Sequence, residues 1–245
     1  MLRAPSVGRR ASPLALVTLC SVLLAACAGA PSTATNVEPR HLLGNPPDTA
    51  LARSILLKPS DLSAGWARLA EDDYSADNLP TQFCLTDFPG YVAGASADYG
   101  FNVDPNGKGL AGQLEVDVKI TNSEAEAKKQ LDRLRSMDSL TAPATQCFLE
   151  GYRGLVARAV GLDSLLPGSQ LLPRATPAAA LQGLTMKASV PYRLGGDKTM
   201  YIDDVRIQKG RIVARLIFVT CCKPFDYATV EGSFVNAVAK RLESA

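Results

Sequence analysis

The chain has 245 residues, 47% hydrophobic and 20% charged, with 26 Lys and Arg against 24 Asp and Glu and a single histidine. This composition suits a folded domain with a sizeable core. It lacks the basic runs of a nucleic-acid binder, and one histidine leaves little room for the Ser-His-Asp or Cys-His sets of many exported hydrolases.

The N-terminus carries Arg3, Arg9 and Arg10, then an apolar run from Pro13 to Ala26. That run is shorter than the roughly 18–20 residues needed to span a bilayer and ends in small residues, so residues 1–26 read as a cleaved export signal. The signal ends at Leu24-Ala25-Ala26-Cys27, which resembles the lipobox of bacterial lipoproteins. The resemblance implies that Cys27 is acylated by palmitate-type chains and becomes the first mature residue. Two or more chains, each contributing about 0.8 kcal/mol per buried methylene, would hold the protein to the outer face of the plasma membrane, in the cell envelope. Removing the signal takes three arginines and no acid with it, so the basic excess disappears.

Residues 27–47 are rich in Ala, Pro, Ser, Thr and Asn without helical or alternating period, as expected of a flexible tether, and they contain the lone His41. The domain is expected over 48–245. "DTALARSILL", with Asp48 as N-cap, predicts a short helix, and "PSDLSAGW" a second helical start before Trp66. A strand is expected near "ADYGFNV", followed by the turn "DPNGKG". In "QLEVDVKIT", Leu114, Val116, Val118 and Ile120 alternate with Glu115, Asp117 and Lys119, the period of a half-buried strand. Ser123 and Glu126 form a capping-box pair opening a helix with Ala127, Leu131, Leu134 and Met137 on one stripe.

The second half repeats this plan. "LTMKASVPY" alternates, "GGDK" turns the chain into "TMYIDDVRIQ", and Lys209-Gly210 turns it into "RIVARLIFV". The last run is apolar on both faces except for Arg215, as in a central strand. A closing helix spaces Val230, Phe234, Val238 and Leu242 four apart. Two hairpin-plus-helix halves predict an α+β, disulfide-bonded domain: an antiparallel sheet with helices packed on one face. Residues 161–183, with three prolines, read as a long loop.

Cys20 leaves with the signal and Cys27 is taken by lipid, so Cys84, Cys147, Cys221 and Cys222 remain. In an oxidising compartment these predict two disulfides, with three possible pairings. Consecutive strand residues point to opposite faces, which favours distant partners for Cys221 and Cys222 over a bridge between the two neighbours. No Cys-x-x-Cys or paired histidine suggests a metal site, and no glycine-rich loop suggests a nucleotide or other cofactor. Asp203 and Asp204, adjacent on a strand, face opposite ways and make no carboxylate dyad; the acidic "AEDDY" at 70–74 reads as a solvated loop. No catalytic residues are assigned. The candidate binding residues come from polar strand faces: Lys187 and Arg193, with Tyr201 or Tyr99 as aromatic support, and Asp117.

"KPSDLSAGW" ending at Trp66, Cys84 in "TQFCLTDF", Cys147 and the C-terminal "RLIFVTCCKPFDYATVEGSFVNAVAKRL", with the lipobox, resemble actinobacterial sensor-domain lipoproteins. These are related to the extracellular sensor domain of PknH-type serine/threonine kinases of mycobacteria. The resemblance implies an α+β sheet with a cleft, two intramolecular disulfides and no catalytic activity. The expected function is therefore a membrane-anchored, non-enzymatic binding module of the cell envelope. Its partner would be a small molecule, a cell-wall component or an envelope protein. The alternative is a carrier of lipid or another apolar ligand.

Overall fold

The computed structural model describes residues 46–72, 91–101, 112–136, 142–175, 181–223 and 230–245. Cys27, Cys84, the DPNGKG turn and Met137 lie outside them. The strands are β1 (Trp66–Asp72), β2 (Tyr91–Phe101), β3 (Gly112–Thr121), β4 (Gln170–Ala175), β5 (Gln182–Arg193), β6 (Asp197–Lys209) and β7 (Ile212–Cys221). The helices are α1 (Pro46–Ile55), α2 (Glu124–Ser136), α3 (Ala142–Val160) and α4 (Gly232–Ser244).

The expected α+β class and antiparallel sheet hold. All seven strands form one antiparallel sheet in the order β1-β2-β3-β7-β6-β5-β4. It consists of two meanders, β1–β3 and β4–β7, welded where β3 pairs with β7. Glycines make the tight turns of the second meander: Gly195 and Gly196 between β5 and β6, and Gly210 between β6 and β7, all with positive φ that a side chain would resist.

The helices, expected on one face, divide between two. The cause is β7. Leu216 and Phe218 point to one side and Ile217 to the other, all nearly or fully buried, so a central strand apolar on both sides needs cover on both. On one face α1 and α4 pack Ala52, Ile55, Phe234, Val235, Val238 and Leu242 over β2, β3 and β7. On the other, α2 and α3 pack Leu131, Leu134, Phe148, Tyr152 and Val156 over β5, β6 and the odd residues of β7. The helices that follow β3 thus cover the second meander.

Several local expectations change. Trp66–Asp72 is an edge strand, so residues 70–72 of the acidic cluster are strand and not loop. "PSD" forms a single 3-10 turn, Pro59–Asp61. The supposed loop 161–183 contains β4 and a 3-10 turn, Leu162–Ser164. Asp48 is no N-cap: it lies in the first turn of α1 and pairs with Arg211. Half of the expected capping box forms: the Glu126 N–H donates to Ser123 Oγ, but the Glu126 carboxylate accepts from the N–H of Asn122, one residue before the cap. Helix α3 was not foreseen; Gly151 and Gly154, each costing about 1 kcal/mol in a helix, mask the four-residue spacing of Phe148, Tyr152 and Val156.

Aromatic packing centres on Phe234 of α4. Its ring meets Trp66 edge-on at 5.3 Å and lies parallel to Phe218 at 6.5 Å. Tyr99 Oη donates to the Leu57 carbonyl at 2.9 Å, just past α1, where a helix end leaves carbonyls without partners. Phe234→Ala should therefore cost about 3–5 kcal/mol, seen as a lower urea midpoint with an unchanged m-value.

Candidate functional site

Beside the apolar cluster on each face of the sheet lies a group of polar strand side chains. On the α1–α4 face this is the β5–β6 region, where Thr185, Lys187, Ser189, Tyr201 and Asp203 project together because Lys187 lies opposite Asp203 and Ser189 opposite Tyr201. Lys187 Nζ donates to Asp203 Oδ2 at 2.7 Å. Glu231, at the start of α4, is fully buried beside them, and as a carboxylate its oxygens meet no donor among the described residues. Burial and the neighbouring Asp203 carboxylate push its pKa well above the usual range, against the pull of Lys187. Protonated, Glu231 can donate to Asp203, which resolves the pairing of two acids with one lysine.

On the α2–α3 face the polar half lies over β2, β3 and β7. Arg206 and Arg215 are direct cross-strand partners. Asp204, buried between them, accepts from Arg215 Nε at 2.8 Å and Nη2 at 2.6 Å, and from Tyr152 Oη at 3.1 Å. Burial alone would raise the Asp204 pKa, but Arg206 and Arg215 outweigh it and hold the carboxyl well below the usual range. Beside this cluster Asp117 pairs with Lys119 at 3.1 Å, and Lys119 sits 4.6 Å from the centre of the Tyr91 ring. Glu115 on the same face is pushed up to about 7, by burial first, with Arg215 opposing. A cavity of about 20 Å³, room for one water, is lined by Tyr91, Asp117, Lys119, Gln130, Arg206, Val213 and Arg215.

The candidate binding residues are thus split. Lys187, Arg193 and Tyr201 share the α1–α4 face, while Asp117 lies on the opposite one. Arg193 is at the exposed end of β5, paired with Asp197 at 2.6 Å. Tyr99 is in the core. Nor are the polar strand faces open to solvent: Asp117, Lys119, Thr185 and Ser189 are all buried. Asp203 and Asp204 do face opposite ways, one toward Lys187 and the other toward Arg215.

The cysteines correct a second expectation. Cys221 is bonded to Cys222, not to a distant partner. Alternation does not apply to this pair, because β7 ends at Cys221. Cys222 has turned to a φ of 73°, and its N–H donates to the Thr199 carbonyl at 2.8 Å. Cys147 is also disulfide-bonded. Sequence reasoning passed over Glu231 and Tyr192, the latter with its hydroxyl 2.9 Å from Cys221 Sγ; Glu231 sits beyond the last strand and Tyr192 read as plain core.

A groove of about 520 Å³ runs between α1 and α4, lined by Leu51 and Ala237 but also by Lys58, Asp61, Lys240 and Arg241. Among the described residues, no three His, Cys, Asp or Glu side chains converge to hold a metal ion, and no helix is long and apolar enough to cross a membrane.

No family model matches the chain, and no curated protein matches it in sequence. Among solved structures, it is similar to the extracellular domain of PknH from Mycobacterium tuberculosis, with a TM-score of 0.50 and 8% identity. The match covers 80% of this chain and 97% of that domain. At this identity the likeness is one of fold.

Two expectations follow from the buried charges. Asp204→Ala removes the carboxylate that both guanidinium groups face and leaves Arg215 buried without its bidentate acceptor, which should cost about 3–5 kcal/mol at neutral pH. Because the folded pKa of Asp204 is depressed, its contribution is present above about 3.8 and lost as pH falls further, so the variant's urea midpoint should vary less with pH below 4 than the wild type's. Glu231 has the opposite sign. The folded state keeps a proton that the unfolded chain loses above about 4.5, so stability declines as pH rises from there, by at most ~1.4 kcal/mol per unit. Glu231→Gln should flatten that decline in urea titrations at pH 6 and 9.

Proposed function

We propose that this chain is a non-catalytic, extracytoplasmic binding module of sensor type, held to the outer face of the plasma membrane through acylated Cys27. The observation that carries the reading is the fold, which spans nearly the whole of the PknH extracellular domain. The lipobox Leu24-Ala25-Ala26-Cys27 behind a basic and apolar leader supports the anchor, and residues 27–47 would serve as its tether. The charged groups also fit binding better than catalysis. Asp204 is locked by two arginines and a tyrosine, and Lys187 is held by Asp203, so neither is poised as a base for an incoming substrate.

The recognition surface in this reading is the exposed end of the β5–β6 hairpin around Arg193, continuing to Lys187 and Tyr201. Asp117, on the opposite face, is left out of it. A polar partner, whether a small molecule, a wall component or an envelope protein, fits these side chains.

Expression in a lipoprotein-processing bacterium with radiolabelled palmitate tests the anchor. The wild-type chain should take up label and fractionate with membranes, whereas Cys27→Ser should do neither. Native mass spectrometry of the detergent-released protein tests the binding class: a co-purifying apolar ligand of defined mass, beyond the anchor itself, would replace this reading with the lipid carrier.

A further inference from the structure

The Cys221–Cys222 bridge contributes little as a staple. In the chain-entropy picture a disulfide stabilises by the loop it closes, and here the sequence separation is 1. The bond joins no two elements of the fold: it begins on the last residue of β7 and ends on the next residue. What it has instead is access. Cys222 is exposed and Cys221 only half-buried, and exposed disulfides are the labile ones.

The surroundings treat the two sulfurs differently. Cys221 is the inner one, and Tyr192 Oη lies 2.9 Å from its Sγ. Tyr192 is itself nearly buried, and burial raises the pKa of its hydroxyl, so it retains its proton as a donor. A bonded sulfur accepts weakly, while a thiolate accepts a charge-assisted hydrogen bond. Two exposed lysines flank the site: Lys223 follows Cys222, and Lys198 lies across from Tyr192 in the β5–β6 pairing. Cations nearby favour thiolates. The backbone offers a response as well, since Cys222 occupies the left-handed region at φ 73°, disfavoured for a side-chain-bearing residue, and opening the ring frees it to leave.

We propose that Cys221–Cys222 is a thiol–disulfide exchange site for low-molecular-weight thiols, attacked at the exposed Cys222 Sγ with Cys221 as leaving group and Tyr192 as its hydrogen-bond donor. The incoming thiolate forms a new S–S bond to Cys222. The Cys221–Cys222 bond breaks, and its electron pair leaves on Cys221 as a thiolate held by Tyr192 Oη. A second thiol attacking the mixed disulfide completes a two-electron reduction, giving two cysteines and one oxidised thiol pair. Tyr192 acts here as a positioning and stabilising group for the departing sulfur.

The test uses the full chain with L-cysteine as probe. After timed incubation at pH 6 to 9 the reaction is acid-quenched, free thiols are alkylated, and the peptide containing both residues is mapped by mass spectrometry. The expected product carries the cysteine adduct on Cys222 and the alkyl group on Cys221. Tyr192→Phe should slow its formation about tenfold, as loss of a hydrogen bond to a charged group predicts, by the same factor across pH 6 to 9 because the hydroxyl stays protonated throughout, while near-ultraviolet circular dichroism stays unchanged. Site mapping on the wild type decides the proposal even if that variant folds poorly. Absence of an adduct, or an adduct on Cys221, overturns the proposal; a folded Tyr192→Phe reacting at the wild-type rate overturns the part given to Tyr192.

Discussion

The structure depends on the carboxylate of Asp204. In this strand register Arg206 of β6 stands directly opposite Arg215 of β7, and two guanidinium groups side by side in a buried sheet would repel. Asp204 sits on the same face, two residues before Arg206, and the fork of Arg215 grips both its oxygens. Tyr152 adds the third element by bringing α3 down onto the same carboxylate. A buried ion pair gives little net stability compared with apolar packing, but once present it penalises every register that separates it. One acid thus fixes how β6 meets β7 and where α3 lies across them.

Around that point the two halves of the chain are interlocked. The first meander supplies β3, which pairs with the last strand of the second. The helices after β3 then cross to cover β5 and β6. In return, α4 at the end of the chain closes over Trp66 and β3 from the beginning. Neither hairpin-plus-helix half has a core of its own. Most contacts that bury apolar surface join residues far apart in sequence, and such pairings form late and cooperatively.

Much of this architecture was legible in the residues. Leu114 to Ile120 alternate as the strand does, and Phe234, Val238 and Leu242 mark the buried stripe of α4. The two-sided run ending at Phe218 and Val219 identified the central strand. The expectation of helices on one face overlooked what that run entails, because a strand buried on two sides cannot be covered from one. Other features depend on relations between strands. Asp117 and Lys187 each alternate correctly within their own strand, yet which face each one shares is set by register, and register is not written in either strand alone. The adjacent cysteines misled for a related reason: their alternation ends with the strand, one residue before Cys222. Glu231 was hidden because its partners, Lys187 and Asp203, come from two strands that only folding brings beneath α4.

The ion pair between Asp48 and Arg211 gives the domain a direction. It fastens the entry of the chain, in the first turn of α1, to the β6–β7 turn. From that turn β7 runs to Cys221 without interruption, a rise of about 30 Å at ~3.3 Å per residue. The Cys221–Cys222 ring and the β5–β6 hairpin tip therefore lie at the end of the sheet remote from the first turn of α1. The pairing that receives the chain and the sulfur-bearing turn thus stand at opposite ends of the sheet, with the length of β7 between them.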